Sequence, residues 1–311
     1  MALARRSKLL LVLLLVPLLV VLLSARADRP ADEVSARWAS PESKFADVLG
    51  MKVHYRDEGS GPSTVMLIHG TFASLHTWDD WTTGLSRDLR VVRLDLPGHG
   101  LTGPDPSGDY GMARTLEVVR TLADQLGLER FSLAGNSLGG HVAWRFAAAH
   151  PERVERLVLL DATGYPFDRP PPIVLLGQLP VLNRLLLFAT PESLIAHNID
   201  EVYGDDSKIT PALVARYHDL TLREGNRRAL FDRLSNPEPE RPELIATVKA
   251  PTLVQWGELD EWVPLRDGER FVKELPDARL VVYPGVGHLP HEEIPEESAR
   301  DALAFLRSAK D

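Results

Sequence analysis

Cysteine is absent from the 311 residues. Disulfide staples, a thiolate nucleophile and a cysteine-ligated metal are therefore excluded. No long basic or acidic block occurs, and the formal net charge is -9. That argues against a nucleic-acid partner, because a phosphate backbone demands a basic patch. There is no H-E-x-x-H spacing, no carboxylate cluster at ligand spacing, no phosphate-binding loop and no G-x-G-x-x-G fingerprint. Neither a metal nor a cofactor is expected.

What is present begins with a leader. Arg5, Arg6 and Lys8 precede Leu9 to Leu23, an unbroken run of Leu, Val and Pro, and Ala25-Arg26-Ala27 follows. A basic start, an apolar stretch and an A-x-A ending read as a secretory signal over residues 1–27, with an uncleaved membrane anchor through residues 9–23 as the alternative. Both readings predict export from the cytoplasm, with the folded part secreted, periplasmic or held on the outer side of the membrane. Residues 28–46, polar and carrying Pro30 and Pro41, read as a tether.

From Met51 the chain alternates short apolar runs with amphipathic ones. Lys52 to Arg56 reads as an early antiparallel strand. Val65 to Ile68, Val91 to Asp95, Phe131 to Ala134, Leu157 to Leu160, Thr252 to Trp256 and Leu280 to Tyr283 read as further strands. Strands apolar on both faces and separated by helices predict an α/β fold, a mostly parallel, doubly wound sheet. Functional loops then belong at the carboxyl ends of the strands. Between Asp161 and Thr252 no strand is evident. Pro170-Pro171-Pro172 opens a stretch with several helical segments, read as a helical cap over 165–247, inserted into a core of 47–164 and 248–311.

Gly135-Asn136-Ser137-Leu138-Gly139-Gly140 has the G-x-S-x-G form of a nucleophile elbow, with a strand before it and an alanine-rich helix after it. Such a turn strains the serine backbone, so small residues flank it, and it lifts the hydroxyl above the sheet edge beside the positive end of a helix. Ser137 is the candidate nucleophile. His288, in Gly287-His288 after the last strand, is the candidate base. His291 is a neighbour that reads as solvated beside Glu292-Glu293. Asp260, after the Thr252 strand, is the carboxylate best placed to orient the imidazole, ahead of Glu258 and Asp161. An oxyanion would be held by the N–H of Leu138 and that of Thr71, in His69-Gly70-Thr71-Phe72. His69, Asp95, His99 and His141 read as structural.

Together these segments resemble the α/β-hydrolase superfamily. His69-Gly70 matches its oxyanion-loop motif, Asp95-Leu96-Pro97-Gly98-His99-Gly100 its next turn, and Gly257-Glu258-Leu259-Asp260 and Gly287-His288 its acid and base loops. The resemblance implies a serine hydrolase with a helical cap, acting on a small-molecule ester or acyl substrate. The Gly-Asn-Ser-Leu-Gly-Gly form is similar both to membrane-anchored monoacylglycerol lipases and to hydrolases of meta-cleavage products. Carboxylic-ester hydrolysis through an acyl-enzyme is the leading expectation. Carbon–carbon bond hydrolysis, lactone opening, acyl transfer and perhydrolysis by the same residues are alternatives, as is a ligand-binding protein on a hydrolase fold.

Overall fold

A computed structural model describes residues 27–179 and 182–308. The apolar run 9–23, with the leader and anchor readings placed on it, lies outside the described residues. Among the described residues no helix is long and apolar enough to cross a membrane.

One eight-stranded sheet organises the chain. Its strands are β1 (Lys44–Val48), β2 (Met51–Glu58), β3 (Thr64–Ile68), β4 (Arg90–Leu94), β5 (Phe131–Asn136), β6 (Val154–Leu160), β7 (Thr252–Gly257) and β8 (Ala278–Tyr283). They lie in the order β1-β2-β4-β3-β5-β6-β7-β8. β2 is antiparallel to both β1 and β4, and every later pairing is parallel. The apolar runs of the sequence are these central strands, and the reason is visible in β3. Val65 and Leu67 enter one hydrophobic cluster while Met66 and Ile68 enter another, on the opposite face. A strand buried on both sides has no polar positions to alternate with.

The larger cluster gathers Phe131, Trp144, Phe146 and Trp256 beneath the helices Met112–Gln125 and Leu138–Ala149. The other packs Trp78, Trp81 and Leu85 against the C-terminal helix Pro295–Arg307. Trp81 Nε1 donates to Ser298 Oγ at 2.8 Å, so that face gives a buried polar group a partner.

Within the segment expected to be a tether, Ala31–Trp38 forms a helix and β1 starts at Lys44. Val34 packs on Leu101 and Leu220. Asp219 receives Arg29 at 3.0 Å and Trp38 Nε1 at 3.1 Å. A polar composition hid this because one buried valine and two polar anchors suffice to dock so short a helix.

Between β6 and β7 the described residues form helices and no strand, including Glu192–Asp200, Pro211–Thr221 and Asn226–Ser235. Ile195, Ile199, Val214 and Tyr217 pack with Ala73 and Leu289, which belong to loops at the carboxyl ends of β3 and β8. These helices therefore sit above the end of the sheet where functional loops gather.

Candidate active site

β5 is buried along its whole length and runs into Ser137, whose φ of 53° and ψ of -117° lie outside the regions L-residues favour. Such a conformation costs on the order of 1–3 kcal/mol and persists only where its surroundings enforce it. Here they do. A Cβ on Gly135 would stand 2.2 Å from the Gly139 carbonyl oxygen, and one on Gly139 would stand 2.0 Å from that of Ile68. Strand β5, the elbow and β3 are in backbone contact, and only glycine permits it. Gly140 is equally constrained, with Ala162 Cβ at 2.4 Å from its would-be side chain. The G-x-S-x-G pattern asks for glycine at 135 and 139, and the fold asks for it at 140 as well.

His288 and Asp260 come from the loops after β8 and β7. His288 Nδ1 and Asp260 Oδ2 are 2.7 Å apart, both side chains almost fully buried. Asp260 Oδ1 accepts the N–H groups of Trp262 and Val263 at 2.8 and 2.9 Å. The carboxylate is thus fixed by its own turn before it meets the imidazole. His288 is held by its backbone. Its N–H donates to Val202 at 2.7 Å, and its carbonyl accepts from Asn136 Nδ2 at 3.0 Å. Asn136 also donates to the Leu160 carbonyl at 3.2 Å. The residue before the serine therefore ties the elbow to the histidine loop and to β6, a role its sequence position did not reveal. Trp262 lies over the imidazole with ring centres 6.0 Å apart.

Ser137 stands where two lobes of a cleft meet. The larger, about 560 Å³, reaches from Ser137 and Leu138 past Phe167 and Val174 to Arg145 and Arg233. That volume suits a small organic ligand. The smaller lobe is lined by Ser137, Gly70, His288, Leu289 and Tyr217. Thr71 lines both. Among the described residues, neither the Thr71 nor the Leu138 N–H has an acceptor. Gly70 brings the first of these close, since a Cβ there would lie 3.1 Å from Ser137 Cβ.

The other titratable groups divide by environment. His69 donates Nδ1–H to the Gly70 carbonyl at 2.7 Å and accepts the Leu96 N–H at Nε2, bracing the loop it belongs to. Burial lowers its pKa. His99 is pushed down to about 3 by burial and by His69. His141 lines the larger lobe, stacked on Trp144 with centres 5.1 Å apart, and burial with Arg145 nearby takes it to about 3. It is a neutral wall of the cleft. Glu240, 3.1 Å from His141 Nδ1, is raised by burial to about 7 despite Arg145. Glu258 is exposed and accepts the Gly285 N–H at 3.2 Å. His291 is not solvated. It is fully buried against Trp78, ring centres 4.2 Å apart, with its pKa held well below the usual range by burial and by His288. The short helix Pro290–Glu293 turns it inward while Glu292 and Glu293 find partners of their own, which adjacency in sequence could not show.

A second serine–histidine–aspartate array lies elsewhere. Ser43 Oγ is 2.8 Å from His54 Nε2, and His54 Nδ1 is 2.7 Å from Asp95 Oδ2. Asp95 also accepts the Leu75 and Leu101 N–H groups at 2.7 Å each. No residue of this array lines a described cavity. The same three side-chain types therefore stitch β1, β2 and β4 together, and the cleft beside Ser137 is what distinguishes the two arrays.

The model of the alpha/beta hydrolase family matches residues 65–302. The chain belongs to that family. A 2-hydroxy-6-oxononadienedioate/2-hydroxy-6-oxononatrienedioate hydrolase of Paraburkholderia phymatum is 31% identical to this alpha/beta hydrolase over 276 residues, 85% of the chain and 95% of the relative. Among solved structures, a meta-cleavage product hydrolase from Pseudomonas fluorescens superposes with a TM-score of 0.73 at 26% identity, over 86% of this chain and 98% of its own. A membrane phospholipase A superposes with a TM-score of 0.74 at 28% identity, over 98% and 100%. The expectation that this alpha/beta hydrolase is exported or anchored on the outer side of a membrane is withdrawn. No described helix can cross a membrane. The hydrolase of P. phymatum is matched over nearly its whole length by the 85% of the chain that aligns with it.

Proposed function

We propose that the chain is a serine hydrolase that cleaves a carbon–carbon bond next to a carbonyl in a small carboxylic acid of the meta-cleavage-product type. Ser137 is the nucleophile, His288 its base and Asp260 the orienting acid. The N–H groups of Thr71 and Leu138 hold the oxyanion, and the helices of 165–247 act as a cap that keeps bulk water from the cleft. The observation that carries this reading is the position of Ser137 at the junction of the two lobes, beside the hydrogen-bonded His288–Asp260 pair.

In this reading His288 takes the Ser137 proton as Oγ adds to the ketone carbon. The two facing N–H groups stabilise the alkoxide, a contribution worth on the order of 3–4 kcal/mol per donor in such sites. Collapse breaks the carbon–carbon bond. The departing carbon leaves with the electron pair, which a conjugated oxo-acid delocalises, and takes a proton. Water activated by His288 then releases the acyl group from Ser137.

Two features favour an acid substrate. The hydrolase of P. phymatum named above is named for a dienedioate and a trienedioate. In the larger lobe, neither Arg145 nor Arg233 is in a close ion pair among the described residues, although Glu238 and Glu240 of the same lobe act on Arg145, and Glu238 on Arg233, at longer range. Arg233 makes only a long contact of 3.4 Å to Thr115 Oγ1, and burial takes its pKa down to about 10. A buried guanidinium gains much from a carboxylate partner. A second reading, carboxylic-ester hydrolysis through the same acyl-enzyme, is favoured by the likeness to a phospholipase A along nearly the whole chain and by the apolar stretch from Leu138 to Val174 in the larger lobe.

The test is a direct comparison of 2-hydroxy-6-oxononadienedioate with p-nitrophenyl butyrate. The first reading expects kcat/KM to favour the dienedioate, with Ser137→Ala lowering it at least ~10³-fold. A preference for the ester moves the assignment to the second reading. Retention of full activity by Ser137→Ala on both substrates removes both.

A further inference from the structure

We propose that Asp161 is a neutral carboxylic acid that donates a hydrogen bond to Asp260 and thereby positions the carboxylate facing His288. The inference rests on the reading of Asp260 and His288 as the orienting pair.

Asp161 ends β6 with a φ of 44°, in the left-handed region, and its side chain is fully buried. Oxygens of Asp161 and Asp260 and a ring nitrogen of His288 all lie within 4.8 Å of one another. The hydrogen bonds divide the two acids. Asp260 receives three donors: the Trp262 and Val263 N–H groups and His288 Nδ1. Asp161 receives one, the Gly257 N–H, at Oδ1 and 2.8 Å. Its Oδ2 is buried with no donor facing it. The polar group that approaches Asp161 from the loop after β7 is the Asp260 carboxylate, itself an acceptor. Their contact is attractive only when one of the two carries a proton. Asp260 already accepts three donors, whereas none faces Asp161 Oδ2, so the proton of that contact is assigned to Asp161 Oδ2.

The surroundings agree. Two buried carboxylates in contact cannot both ionise at neutral pH. The groups facing Asp161 are Asp260 and His288 above it, Glu293 from the helix Pro290–Glu293, and Tyr283 at the end of β8. Burial, Asp260 and Glu293 all raise the Asp161 pKa, against the Gly257 N–H alone. The consequence for the reaction is specific. A fourth donor fixes the orientation of the Asp260 carboxylate that faces His288 Nδ1, and so holds the imidazole in the tautomer that takes the Ser137 proton and returns it to the leaving group. Asp161 touches neither substrate nor Ser137 in this account and is a positioning residue.

The direct test is infrared spectroscopy of the whole protein labelled with [4-13C]aspartate, at about pH 8, where ordinary carboxyls are ionised. The expected result is a protonated-carboxyl band that shifts in D2O and disappears in Asp161→Asn. Absence of the band in the wild-type protein, or its survival in Asp161→Asn, overturns the proposal. This readout needs no turnover, so it stands apart from the assignment of substrate.

The second arm is the pH profile of kcat/KM with whichever of the two substrates is turned over. Asn donates from Nδ2 as the neutral acid does. Asp161→Asn is therefore expected to move the acid limb by less than about 0.3 pH units, whereas loss of a negative charge this close to His288 would lower it by about 1–2 units. A shift of that larger size overturns the proposal. Asp161→Ala, which removes the donor, is expected to lower kcat at least ~10-fold with KM little changed. Full kcat in Asp161→Ala overturns the positioning role. If Asp161→Asn does not fold, the wild-type band alone decides.

Discussion

Gly139→Ala tests the physical basis of the elbow. The added methyl would lie 2.0 Å from the Ile68 carbonyl oxygen, 2.5 Å from the Ile68 carbonyl carbon and 2.6 Å from the His69 carbonyl oxygen. Ordinary contact begins at 3.4 Å. All three atoms are backbone, and Ile68 is paired with Leu94 on one side and Gly135 on the other. The strand cannot retreat without breaking two ladders, so the start of the helix Leu138–Ala149 must lift by about 1.4 Å, the difference between 3.4 and 2.0 Å. In the proposed mechanism that movement misplaces the Ser137 hydroxyl relative to His288 and the Leu138 N–H relative to that of Thr71. A misplacement of about 1 Å costs roughly 10²-fold, and loss of one oxyanion donor roughly 10²–10³-fold. The expected fall in kcat is therefore about 10²–10³-fold. Overpacking adds about 1–3 kcal/mol of destabilisation, or a melting temperature lower by about 2–12 °C in a chain of this size. The assays are turnover, the rate of Ser137 labelling by a fluorophosphonate, and thermal unfolding. Gly127→Ala is the control. Its φ is 69° with nothing within 4 Å, so it carries only the left-handed penalty of about 1–2 kcal/mol and leaves turnover unchanged. If Gly139→Ala labels and turns over within about threefold of wild type, close backbone approach is not what aims the serine.

Asp95→Asn is expected to leave turnover per folded molecule unchanged and to destabilise by about 3–5 kcal/mol, because it removes the charge that His54 and two N–H groups are built around; urea unfolding measures it. Burial raises the Asp95 carboxyl, but the attraction and hydrogen bond of His54, together with the attraction of His69 and His76, outweigh it and hold the group well below the usual range. Its contribution is therefore present at neutral pH and lost only on strong acidification. Glu240 has the opposite sign. Its carboxyl is raised from 4.5 to about 7, so wild-type stability falls as pH rises through that window. Glu240→Gln removes the slope and is expected to gain about 1–2 kcal/mol on wild type between about pH 4.5 and pH 8, a value discounted for the partial exposure of the side chain. A gain running the other way would refute the sign.

The chain's order of residues was enough to locate the strained turn at Ser137 and the loops after β7 and β8 that carry Asp260 and His288. Each is a contiguous segment whose backbone demands particular residue types, glycines around a strained serine above all. It was also enough for the central strands, because a strand buried on both faces has no polar face to alternate with, and Val65 to Ile68 of β3 are apolar throughout; β1, in the segment read as a tether, was not legible. What a side chain does once folded was decided at longer range. Asn136 is legible as part of the elbow, but its bond to the His288 carbonyl joins residues 152 apart in sequence. His291 reads as solvated beside two glutamates and is buried under Trp78. Ser43, His54 and Asp95 have the residue types of a reacting centre, but none of them lines the cleft at Ser137, and Asp95 is bound instead to the Leu75 and Leu101 N–H groups. Asp161 and Asp260 read as two similar acids at two strand ends. They differ in the donors that each meets: the Trp262 and Val263 N–H groups of its own turn and the distant His288 Nδ1 for Asp260, and the distant Gly257 N–H alone for Asp161. Local geometry is written in neighbouring residues; charge state and solvent access are properties of what distant segments place around them.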